Sequence, residues 1–144
     1  MPRITTERLI AAPVDRVFST VADIGNFSKA VPHIVRVEFL SEQKFGLGTR
    51  FRETRLMRGK EATTELEVTE FTENERIRLV ADSHGTIWDT LFTVAAKDGK
   101  TLLTMDMEAR AYKFLWRIMN ALIFPMVRKA VEADMDSVKK YCES

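Results

Sequence analysis

Hydrophobic positions change period twice along the 144-residue chain. Residues 4–11 are rich in β-formers. Pro13 suits the opening turn of a helix, where its missing N–H costs nothing. Val14, Val17, Phe18 and Val21 then follow i, i+3, i+4, i+7 spacing, one buried helical face. Asp15 stands where the helix dipole favours a negative charge. Gly25 and Pro32 punctuate the next stretch and leave room for a second short helix over 27–31. From 34 to 111 the pattern is that of strands joined by turns. From about 114 to 142 the helical period returns. Leu115, Met119, Leu122 and Met126 make one stripe, and Val127, Val131, Met135 and Val138 continue near it. Pro125 is expected to kink this helix or set off a shorter first piece. Lys139 and Lys140 suit the dipole of its last turn.

The turns predict registers that can be checked against one another. Asp98-Gly99 is a strong two-residue hairpin signal; His84-Gly85 and Arg58-Gly59 are weaker ones, and 72–75 reads as a four-residue loop. The first turn pairs Val94 with Leu103, Phe92 with Met105, Thr90 with Met107 and Trp88 with Ala109. The second pairs Ala81 with Trp88, Leu79 with Thr90 and Ile77 with Phe92. The four-residue loop pairs Leu66 with Ala81 and Val68 with Leu79. The Arg58-Gly59 turn pairs Phe51 with Leu66 and Glu53 with Thr64. All four put the same residues on one mostly apolar face, which argues for an antiparallel meander. The opposite face sets Arg50 against Glu67 and Arg52 against Glu65, as cross-strand ion pairs. Asp89 against Glu108 is a like-charge pair, with Arg110 diagonally near.

A curved sheet with one apolar face must cover it, and the last helix is the obvious cover. A bent sheet and a straight helix do not touch along their whole length, so either a cavity lies between them or side chains fill the gap. The inward set comprises Phe51, Leu66, Leu79, Ala81, Trp88, Phe92, Met105 and Met107, with Trp116, Met119, Leu122, Ile123 and Met126 expected from the helix. Seven methionines supply side chains that tolerate shifting contents. Among these apolar residues Glu53, Thr64 and Ser83 fall in one row across three strands, with Arg55 one step beyond and Thr90 beside Trp88. A carboxylate on an apolar face must be paired or wet. It forms an ion pair with Arg55, sits on a polar rim, or orients the polar group of a ligand.

Composition narrows the classes. Apolar residues make up 45% and charged residues 30%, the balance of a soluble globular chain, read here as one domain over 1–144. A net charge of +1 supplies no global field for nucleic acid. Arg50, Arg52, Arg55, Arg58 and Lys60 form a basic run, but two of them already face glutamates, so no nucleic-acid partner is expected. A single cysteine, Cys142, excludes an internal disulfide and points to a reducing, cytoplasmic setting. Residues 114–127 are interrupted by Arg117, Asn120 and Pro125 and are too short to span a bilayer. Residues 114–124 read as lining the cavity rather than as a flap touching membrane. His33 and His84 have no metal-ligand spacing partner, and no metal site is expected. Gly46-Leu47-Gly48 lacks the third glycine of a dinucleotide fingerprint. Neither a P-loop nor a nucleophile elbow is present, and no cofactor is expected.

Several local motifs resemble one family. Ile10-Ala11-Ala12-Pro13-Val14-Asp15-Arg16-Val17-Phe18, Val21-Ala22-Asp23-Ile24-Gly25-Asn26-Phe27, Gly46-Leu47-Gly48-Thr49-Arg50-Phe51-Arg52-Glu53 and Asp136-Ser137-Val138-Lys139-Lys140-Tyr141 are similar to the START-like, Bet v 1-like (SRPBCC) superfamily, specifically its bacterial polyketide cyclase/dehydrase group. The resemblance implies an α+β helix-grip fold: a seven-stranded antiparallel sheet wrapped around a long C-terminal helix, with two short helices between the first two strands. It also implies a tunnel for hydrophobic small molecules. The family shares no catalytic motif, so no catalytic residue is carried over.

The leading expectation is therefore a protein that binds a lipid, quinone or polyketide-like molecule. The alternative is a cyclase or dehydratase, with Glu53 as acid or base and Arg55 polarising a carbonyl. A ligand-free interaction module is the third; it would need an exposed apolar patch, and the strand alternation offers none. The reading leaves room for a homodimer.

Overall fold

The computed structural model describes residues 2–144. The strands are β1 (Arg3–Ile10), β2 (Ile34–Phe39), β3 (Arg50–Met57), β4 (Lys60–Thr72), β5 (Arg76–Ser83), β6 (Thr86–Lys97) and β7 (Lys100–Ala111). The helices are α1 (Val14–Ala22), α2 (Ile24–Ala30) and α3 (Phe114–Glu143). All strands join one antiparallel sheet in the order β1-β7-β6-β5-β4-β3-β2. The meander expected from the turns is present, and β1 folds back to close it beside β7. With two short helices after β1 and a long one at the end, this is the α+β helix-grip architecture.

The tight turns explain the registers. Both central residues of Arg58-Gly59, His84-Gly85 and Asp98-Gly99 have positive φ, the geometry that matches the twist of a two-residue hairpin. Phe51 pairs with Leu66 and Glu53 with Thr64; Ala81 pairs with Trp88 and Leu79 with Thr90; Phe92 pairs with Met105 and Thr90 with Met107.

The β4–β5 connection differs from the expected four-residue loop. Thr72 pairs with Arg76, and the register shifts between Val68 and Glu70. One extra residue on β4 makes a bulge, and the loop shortens to compensate. The shift moves the apolar side chains after it to the next residue, so Phe71 packs edge-on to Phe18 at 5.5 Å.

Ion pairs on the outer face do not all follow the β3–β4 register. Arg50 faces Glu67 along the backbone but bonds Glu65 at 2.9 Å, and Arg52 bonds Glu38 on β2 at 3.1 Å. Strand twist and the reach of arginine select the diagonal neighbour for Arg50, whereas Arg52 pairs straight across with its β2 partner Glu38. Arginines on three strands resolve the Asp89–Glu108 clash. Asp89 takes Arg78 at 2.7 Å and Arg110 at 3.2 Å, while Glu108 takes Arg110 at 2.9 Å and Arg3 at 3.2 Å.

The second helix starts earlier than the punctuation suggests. The Asp23 carboxylate caps it by accepting the Asn26 N–H at 3.0 Å, which draws Gly25 into the helix. Helix α3 runs through Pro125 as one element. Val131, Met135, Val138 and Cys142 are buried with Val17, Phe18 and Val21 of α1 and with Ile4 and Leu103 of the β1–β7 edge.

The first half of α3 overturns an expectation. Phe114 is 76% exposed and Leu122 72%, and Leu115, Ile118 and Met119 are exposed as well. At about 100° per residue, the nine positions from Leu122 to Val131 carry the chain half a turn around the helix. The two apolar stripes therefore lie on opposite sides, and only the second faces the sheet. An exposed apolar patch exists after all, on the helix rather than on the strands.

Candidate functional site

Between α3 and the concave face of the sheet lies a cavity of about 330 Å³. Its walls follow from the registers. Phe51, Glu53 and Arg55 alternate inward on β3; Thr64 and Leu66 on β4; Leu79, Ala81 and Ser83 on β5; Trp88, Thr90 and Phe92 on β6; Met105 and Met107 on β7. Twelve residues expected from the strands thus meet around one space, with Ser83 beside them. The remaining five expected residues, Trp116, Met119, Leu122, Ile123 and Met126, do not line it. Val127, Ala130, Val131 and Asp134 form the helical wall instead, because the second half of α3 is the part turned toward the sheet. Trp116 lies over the β5–β6 turn, its ring 5.7 Å from that of His84. A Cβ at Gly85 would come within 2.7 Å of Trp116 Cδ1, so this turn needs glycine for space as well as for its φ of +86°. Val21, Ile24 and Phe27 add wall from α1 and α2, Met57 adds the end of β3, and Phe27 stacks edge-on to Phe92 at 6.0 Å.

One end of the cavity is charged. Arg55 Nε donates to Glu53 Oε1 at 2.6 Å. Its Nη1 and Nη2 lie 3.0 and 2.8 Å from Asp134 Oδ1 and Oδ2, a bidentate pair joining β3 to α3 across the space. The side chains are 13% exposed for Glu53, 21% for Arg55 and 11% for Asp134. Burial by itself would lower the Arg55 guanidinium. The charges of Glu53 and Asp134 and the hydrogen bonds to both outweigh it, holding the group above its ordinary value. Glu53 is thus paired with Arg55 and lines the cavity, and the pair has a third member that sequence reasoning missed. Asp134 was nonetheless detectable: it sits between Val131 and Val138 on the buried stripe, and a carboxylate there needs a cation.

The two histidines and the cysteine lie outside the cavity wall. His33 and His84 are exposed, and His84 Nδ1 meets Ser83 Oγ at 2.9 Å. Among the described residues no cluster of His, Cys, Asp or Glu could hold a metal ion. No helix is long and apolar enough to cross a membrane. Cys142 is buried; burial pushes its thiol up, partly offset by its bond to Thr20 Oγ1 at 3.3 Å.

A meander closed by its first strand, gripping one long helix over an apolar hollow, is the helix-grip fold. The chain belongs to the family described as polyketide cyclase/dehydrase and lipid transport, which it matches over residues 1–143. No curated protein sequence matches it. Among solved structures it is similar to TTHA0849 of Thermus thermophilus, with 17% identity, 98% of this chain and 97% of that one covered, and a TM-score of 0.80. It is also similar to a START superfamily protein of Mycobacterium smegmatis, at 18% identity, coverage of 98% and 94%, and a TM-score of 0.71. The di-domain ARO/CYC protein BexL from the BE-7585A biosynthetic pathway matches at 17% identity and a TM-score of 0.79, over 99% of this chain and 50% of that one. At these identities the likeness is one of fold.

Proposed function

We propose that the whole chain acts as one ligand-binding unit that holds a lipophilic small molecule, such as a lipid, a quinone or a polyketide-like compound, between α3 and the sheet. The observation that carries this reading is a 330 Å³ space walled mostly by apolar side chains. Protein interiors are otherwise close-packed, so a space this large is a feature rather than a packing fault. Burying roughly 300 Å² of ligand surface at ~25 cal/mol per Å² gives about 7 kcal/mol gross. Association and ordering remove much of it, which leaves affinity around micromolar. Nucleic acid has no place in this reading, since Arg36, Arg50 and Arg52 on the sheet exterior are each tied to a glutamate. The buried single cysteine suits a reducing, cytoplasmic setting.

The test is titration with Nile red, a neutral lipophilic dye, together with native mass spectrometry of the purified protein. A saturating fluorescence rise that Ala81→Trp abolishes is the expected result, because Ala81 is buried in the cavity wall and an indole there fills the space. No saturable signal and no co-purified mass would overturn the reading.

A second reading, a cyclase or dehydratase acting on a polyketide-like substrate, is favoured by the presence of Glu53 and Arg55 in the same wall. Glu53→Gln separates the two: an enzyme loses turnover while Nile red still binds, and a carrier has no turnover to lose.

A further inference from the structure

The charge at the polar end of the cavity does not balance. Among the described residues, Glu53, Arg55 and Asp134 are the only ionisable ones lining the space, so its fixed charge is two carboxylates against one guanidinium. Both Asp134 oxygens are taken by Arg55. Glu53 gives Oε1 to Arg55 Nε. Among the described residues no donor reaches Glu53 Oε2, and that atom is not sealed off. Thr64 stands directly across from Glu53 on β4 and lines the same space. The polar end of the hollow therefore carries a carboxylate with one oxygen that has no donor among the described residues.

Arg55 cannot easily serve an anionic ligand. To turn toward one it would abandon the bidentate contact that links β3 to α3 and leave Asp134 as an uncompensated buried charge. A ligand carboxylate placed here would face a net negative field at short range and in low dielectric. A hydroxyl or an ammonium would instead complete Glu53 Oε2.

We propose that the cavity selects lipophilic molecules whose polar end donates a hydrogen bond, as an alcohol or an amine does, and discriminates against carboxylates of the same body. Glu53 is the residue that sets this preference, with the Arg55–Asp134 pair holding it in place. The inference rests on the ligand-binding reading above.

Three probes share a decyl chain and differ at the end: 1-decanol, decylammonium and decanoate. Each is measured at neutral pH by displacement of Nile red from the intact chain. Decanol and decylammonium are expected to compete, and decanoate to be at least about tenfold weaker, the effect of one uncompensated like charge in a partly wet site. Glu53→Gln should shrink that gap to about threefold or less. Asp134→Asn removes the same excess charge from the helix side and should relax the discrimination too, which covers the case in which Glu53→Gln does not fold. If decanoate competes as well as decanol in the wild-type chain, the selectivity is refuted and the container reading stands. If the gap persists in both variants, Glu53 does not set it and the proposal is wrong. If neither Nile red nor decanol binds, both readings fall together.

Discussion

Replacing Arg55 by methionine is the most direct probe of how the cavity is held open. Methionine keeps the length and apolar stem of the side chain but deletes the guanidinium. Two hydrogen bonds, at 2.6 and 3.0 Å, and a further ion-pair contact at 2.8 Å disappear, and two carboxylates remain at one end of the cavity with no cation between them. Removing one member of a buried ion pair costs about 3–5 kcal/mol. These side chains keep 11–21% of their exposure and line an open space, which discounts the cost below that range, to about 2–3 kcal/mol. For a chain of this length that corresponds to a Tm lower by roughly 5–10 °C. The assay is urea unfolding at neutral pH followed by tryptophan fluorescence, because Trp88 lines the cavity. The triple variant Glu53→Leu, Arg55→Met, Asp134→Leu removes the charges together and should recover most or all of the loss, since an apolar replacement avoids the desolvation cost. A single variant as stable as wild type, or a triple variant worse than the single one, would falsify the claim that Arg55 acts by neutralising both carboxylates.

Three further outcomes follow from packing and charge. Asn120→Ala breaks the bond from Asn120 Nδ2 to Thr86 Oγ1 at 2.9 Å, both residues being buried, and should cost about 1–3 kcal/mol by urea unfolding. Gly85→Ala places a Cβ within 2.7 Å of Trp116 and 2.8 Å of Lys113 at a left-handed φ; it should destabilise by more than about 1 kcal/mol and shift the Trp116 emission. Glu132 is held below the ordinary carboxylate value by its hydrogen bond to Arg8, and Glu143 by accepting the Ala11 N–H and then by Lys139. A depressed folded-state value adds stability above the unfolded value of 4.5 and loses it as pH falls through the folded value, so the urea midpoint should drop on acidification below that point, and Glu132→Gln and Glu143→Gln should each flatten the drop.

The strand half of the cavity was legible in the chain because turn chemistry and period-two alternation are local signals. Asp98-Gly99 and His84-Gly85 fix which residues share a face without any knowledge of the rest of the molecule. The bulge after Val68 escaped because the shorter loop compensates for the extra residue: pairing up to Val68–Leu79 is as expected, and only the end of β4, where Phe71 turns inward, is shifted. The helical half was misread for a different reason. A 3.6-residue period says that a stripe exists and not which stripe faces the sheet. Counting around the axis from Leu122 to Val131 would have revealed the conflict, and the longer run of buried positions, through Met135, Val138 and Cys142, decides it. Arg55–Asp134 joins residues 79 positions apart; no local pattern encodes such a contact, although an aspartate on an apolar stripe announces that a partner must exist.

Pro125 has no N–H to give the carbonyl of Ala121, so the hydrogen-bond ladder of α3 lacks a rung between its two halves. Behind the proline the helix is bolted down by buried apolar side chains; ahead of it, Asn120 is the one buried anchor among the described residues. Amide protons of the leading turns should accordingly exchange well before those of the trailing turns, as though two rods of unequal grip had been spliced end to end.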